Sequence, residues 1–128
     1  MTKKHVPDLE LCQEFDRLCK EKNITIPETE FYWCFYNVGG WILHHVNQSY
    51  DKNVTERIPA PLVSEQGEWL KFHSHKSIYG SKTGVAKNVW RWHFFADFDV
   101  PDLMADTEAN ARMMGLNYLL AEGISTKL

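Results

Sequence analysis

Histidine, cysteine and aspartate give this 128-residue chain most of its potential for chemistry. His73 and His75, in "HSH", fall on one side of an extended segment and form a two-ligand unit that would suit zinc. His93 on a later strand, or Cys34 on an earlier one, would complete the set. A metal-dependent enzyme at His73, His75 and His93 is therefore one reading of the chain. The spacing matches no zinc module, however, and HExxH is absent. Asp97 and Asp99 in "FADFDVPD", with Asp102 and Asp106 beyond, could hold a divalent cation through oxygen ligands. Aspartates at such places also serve as turn formers and helix caps. The expectation is no catalytic residue, no metal and no cofactor.

A thiol nucleophile is the next candidate. Cys34 could meet His44 or His45 across a hairpin, because strand partners sit ~5 Å apart. Catalytic cysteines need an electropositive, accessible setting, whereas Cys34 lies between Trp33 and Phe35. A packed thiol is the expectation. Ser64 and Ser74 lack a nucleophile elbow, and "GSKTG" lacks the order of a phosphate loop.

These residues must be positioned by secondary structure. "FYWCFYNVGGWILHHV", Phe31 to Val46, alternates as two strands around the two glycines of a hairpin turn. Alternation sends His44 and His45 to opposite faces, so they cannot share one ion without distortion. Before the hairpin, Pro7 or Asp8 opens a helix to Lys22, with Leu11, Phe15, Leu18 and Lys22 on one stripe and Cys12 and Cys19 beside it. "NITIPET" ends that helix. "NQSYDKNVTER" reads as a polar loop, and Pro59 and Pro61 lead into a helix with Leu62, Gln66, Trp69, Leu70 and His73 inward.

The stretch from Ser74 to Asn88 reads as an exposed, mobile loop. "VWRWHFFADF" is a half-buried strand, with Trp90, Trp92, Phe94, Ala96 and Phe98 on one side and Val89, Arg91, His93, Phe95 and Asp97 on the other. "DVPDLMAD" turns the chain. Asp106 or Thr107 caps a last helix with Ala109, Met113, Leu116 and Leu120 buried and Gly123 at its C-terminal end. The order is α-β-β-α-β-α. It implies an α+β fold with a small three-stranded antiparallel sheet packed with helices, a single globular domain over 1–128.

Composition limits function. The 44% apolar and 24% charged residues are those of a globular protein, and 13% aromatic residues concentrate the core in few side chains. A net charge of -3 argues against a chain whose main work is gripping phosphate backbones. Three cysteines without a CxxC pair fit a reducing compartment; Cys12 and Cys19 stand roughly 10 Å apart along one helix, too far to pair. "MTKKHVPDLEL" opens with mixed charge, not the apolar run of a leader, and no membrane span is expected.

The "FYW" strand, the "GW" strand, the "PAP" segment before a helix ending "EWL", and the closing "TEANARMMGLNYLLAEGI" resemble a group of small uncharacterised proteins carried by tailed phages and prophages. The resemblance covers about Glu30 to Ile124 and departs from the group in the long Ser74–Asn88 loop. It implies a phage or prophage gene; together with the unpaired cysteines, the expectation is the cytoplasm of a bacterial host cell. The resemblance carries no activity and no functional residues.

Helices can cover only one face of a three-stranded sheet, yet the strands bear rings on both. Tyr32, Tyr36, Val89, Arg91, His93 and Phe95 are therefore candidates for a contact surface with a protein partner or a second copy, as in a homodimer. In the plainer arrangement, the first helix covers that face. The alternative partner is nucleic acid, gripped by the lysines from Lys71 to Lys87 (with Lys76 and Lys82 between) and by outer-face aromatics.

Overall fold

The structure, a computed structural model, describes residues 5–37, 39–47, 54–70, 77–82, 90–95, 103–105 and 107–123; for 70, 77–82, 90–95 and 103–104 the description is of the backbone. The elements in chain order are α1 (Leu9–Glu21), β1 (Phe31–Tyr36), β2 (Gly40–His45), β3 (Val54–Pro59), α2 (Val63–Leu70), β4 (Ser77–Lys82), β5 (Trp90–Phe95), β6 (Leu103–Ala105) and α3 (Glu108–Ala121). The class is α+β, with three helices and three-stranded antiparallel sheets. Among the described residues two such sheets occur, in the orders β2-β1-β3 and β4-β5-β6, where one was expected. The α-β-β-α-β-α order gains β3, β4 and β6. β3 lies in the stretch read as a polar loop and its proline exit, β4 in the stretch read as a mobile loop, and β6 in the expected turn.

α1 has Asp8 at its N-cap and ends where Asn23 takes a φ of 56°, a left-handed conformation that asparagine tolerates. Its buried residues are Cys12, Phe15, Leu18 and Cys19. The stripe is therefore centred on the two cysteines; Leu11 is half-buried and Lys22 exposed. Small thiols let the helix approach its neighbours closely.

α3 is the centre of the fold. Nine of its residues are buried, among them Met113, Leu116, Leu119 and Leu120, and they run around the helix rather than along one stripe. A helix apolar all round is one packed on several sides. α3 accordingly touches α1, α2 and all three strands β4–β6. Thr107 caps it by accepting a hydrogen bond from the Asn110 N–H at 3.1 Å. Gly123 follows with a φ of +71°.

The first sheet is built on the expected hairpin. Gly39 and Gly40 take φ of 101° and 77° and turn β1 into β2. The register sets Phe31 opposite His45, Trp33 opposite Leu43 and Phe35 opposite Trp41, so these residues share one face. Ile58 of β3, opposite Trp33, joins them. Phe31, Trp33, Trp41 and Leu43 pack against the core that Phe15, Ile58 and Leu116 help to build. The Trp33 indole N–H donates to the Pro7 carbonyl at 3.2 Å, fastening this face to the start of α1. α1 thus sits on the Phe31/Trp33 face, and the second face of the sheet is the other one.

Glu65 ties the sheet to α2. One carboxylate oxygen accepts from the Leu62 N–H at 2.7 Å, the other from the Glu30 N–H at 3.1 Å. Phe15 and Trp69 stack at 5.7 Å between α1 and α2.

Candidate interaction surface

The second face of the β2-β1-β3 sheet carries Tyr32, Cys34 and Tyr36 from β1, Ile42 and His44 from β2, and Arg57 from β3. Cys34 is in the middle, with Ile42 opposite on one side and Arg57 on the other. Tyr36 and His44 stand four rungs apart along the hairpin, yet Tyr36 Oη and His44 Nε2 share a hydrogen bond of 2.7 Å. Their rings therefore lean toward each other across the Cys34–Ile42 rung. Arg57 holds its guanidinium carbon 4.1 Å from the centre of the Tyr32 ring. Tyr32 is buried, and its hydroxyl accepts from the Thr29 N–H at 3.2 Å.

Of the contact candidates, Tyr36 is half-buried on this face. Tyr32 is on it too, but what reaches solvent above it is Arg57. Arg91, His93 and Phe95 lie on β5 in the other sheet, where the register places them opposite Ser81, Tyr79 and Ser77; their side chains lie outside the description. Val89 is outside the described residues altogether, as are His73, His75, Lys71, Lys76, Lys87 and the aspartates at 97, 99, 102 and 106. Lys82 ends β4, which lies in the stretch expected to be loop.

Ile42 and Arg57 are the residues that sequence reasoning passed over. Ile42 is 45% exposed, the one exposed large hydrophobic side chain among the described residues. Strand alternation already placed it beside His44. Arg57 had no legible position, because the strand that carries it was read as loop.

Cysteine chemistry finds no support in the geometry. His44 is opposite Tyr32 and His45 opposite Phe31, so neither faces Cys34 directly. His45 turns to the other face, where Nε2 lies 3.0 Å from a Glu30 carboxylate oxygen and the ring meets Phe31 edge-on. Burial pushes the Cys34 thiol up, and the Arg57 guanidinium draws it only part of the way back. Cys12 is pushed far up by burial, with Asp8 adding to the shift and a Trp33 contact opposing it. Cys19 is pushed up to about 11 by burial and by Asp16. A thiol nucleophile requires the opposite shift. Among the described residues, no three His, Cys, Asp or Glu side chains converge as a metal site, and no helix is long and apolar enough to cross a membrane.

The two edges of this sheet differ. The Val46 N–H donates to the Glu30 carbonyl at 2.7 Å, so on β2 the even-numbered residues bond inward to β1. The N–H and C=O groups of Trp41, Leu43 and His45 consequently point away from the sheet. On β3, the Ala60 N–H donates to the Phe31 carbonyl at 3.0 Å, so Ile58 and Glu56 bond inward while Pro59 and Arg57 point outward. Pro59 has no N–H to offer at that edge. A register shift between Phe35 and Tyr36 adds a bulge, and Thr55, Glu56 and Arg57 are exposed. Proline, bulge and charge are the devices that blunt a sheet edge. β2 has none of them: "GWILHH" holds no proline, lysine, arginine or acid.

No protein-family model matches the chain, and no curated protein or solved structure matches it.

Proposed function

We propose that this chain is a small accessory protein of a phage or prophage that works in the host cytoplasm by protein–protein contact, without cofactor or catalysis of its own. The phage origin rests on the resemblance carried by the "PAP"…"EWL" helix and the "YLLAEG" helix. The contact reading rests on one observation: Ile42 is exposed on β2, an uncharged strand that ends its sheet among the described residues. Apolar side chains at an unblunted edge cost solubility, and they persist where a partner covers them. Half-buried Tyr36 and His44 share Ile42's face of the sheet, aromatic side chains of the kind that fill the centre of interfaces.

The test is recovery of a bound protein from phage-carrying host cells by the wild-type chain and by Ile42→Lys. One defined partner, or the chain itself, captured by wild type and lost with the variant supports the reading. Equal recovery by both, or metal- or nucleic acid-dependent behaviour that ignores the substitution, overturns it.

A further inference from the structure

We draw no further inference here: the strongest candidate, the side-chain cluster of Tyr36, His44 and Ile42 around the buried Cys34 thiol on the second face of the β2-β1-β3 sheet, belongs to the contact surface already described, and nothing in the structure shows what covers it.

Discussion

Asn110 of α3 and Asp8 at the head of α1 hold each other through two hydrogen bonds, across 102 positions of the chain. The Asn110 side-chain oxygen accepts from the Asp8 N–H at 2.8 Å, and its amide nitrogen donates to the Asp8 carboxylate at 3.1 Å. Asp8 makes no cap hydrogen bond of its own to α1, so its side chain is free to serve this pairing. One turn pair further along α3, the Asn117 amide donates to the Leu11 carbonyl at 3.1 Å. Two asparagines seven residues apart thus fix the angle at which the central helix meets α1. Apolar contacts such as those of Met113 and Leu116 supply the attraction, but they are less specific about register.

Asn110→Ala should accordingly destabilise the chain by about 1–3 kcal/mol, because it leaves a part-buried N–H and a carboxylate oxygen without their partner. Urea denaturation checks this. Asn110→Asp should be no rescue at neutral pH, since it sets a second carboxylate against Asp8 and cannot donate. A loss below about 0.5 kcal/mol for both variants would mean that water replaces the pair without cost.

Gly67 tests how tightly α2 meets α3. A Cβ there would sit 3.0 Å from Arg112 Nη1. Alanine in place of a helical glycine gains about 1 kcal/mol of helix propensity, which displacement of a half-buried guanidinium offsets. Gly67→Ala should therefore change stability by less than about 0.5 kcal/mol, while Gly67→Leu, with more to accommodate, should cost about 1–3 kcal/mol. Thermal unfolding of the two variants separates close approach from simple helix weakness: if both stabilise, the approach is loose.

The difference between what was and was not legible in the sequence follows from locality. The hairpin was readable because "NVGG" supplies two residues at positive φ between alternating runs. α3 was readable because Thr107, the apolar stripe and Gly123 are local signals in the right order. β3 was not, because only Ile58 among its residues is turned to the core and buried, so no alternation is visible. β6 spans three residues, too few for a period, and β4 is interrupted by Gly80. The contact surface inherited that blindness. Tyr32 was expected to face solvent because its cover, Arg57, belongs to a strand that only the tertiary pairing with β1 reveals. Ile42 was in view from the start, but its exposure depends on β2 being an edge.

Arg57 should be worth measuring for the same reason. Its guanidinium over Tyr32 lends about 0.5–1 kcal/mol at an exposed site. Arg57→Ala should lose about that much stability, and Arg57→Lys should recover only part of it, since the ammonium lacks a planar face to stack. The variant should also raise the Cys34 thiol further, because the one group lowering it is gone. Alkylation rates against pH read that second effect. A Cys34 profile that does not move would separate Arg57 from the thiol.

The two cysteines of α1 make the stability of the chain sensitive to alkaline pH. Burial pushes Cys19 from about 9 to about 11 and carries Cys12 higher still. In the unfolded chain these thiols ionise near their ordinary value. Between pH 9 and 11 the unfolded state therefore holds fewer protons than the folded one, and stability falls as pH rises. Below pH 9 both states are protonated and this contribution is intact. At neutral pH a thiol raised by two units carries about 100-fold less thiolate, so a thiol reagent should label native Cys19 slowly and Cys12 more slowly. In denaturant all three cysteines should react at once. Urea midpoints across pH 8 to 11 should decline, and Cys19→Ala should decline less steeply, although from a lower starting stability because it opens a gap against the core. Flat midpoints, or native thiols that label as fast as unfolded ones, would show that the α1 cysteines are not sealed between α1 and the core.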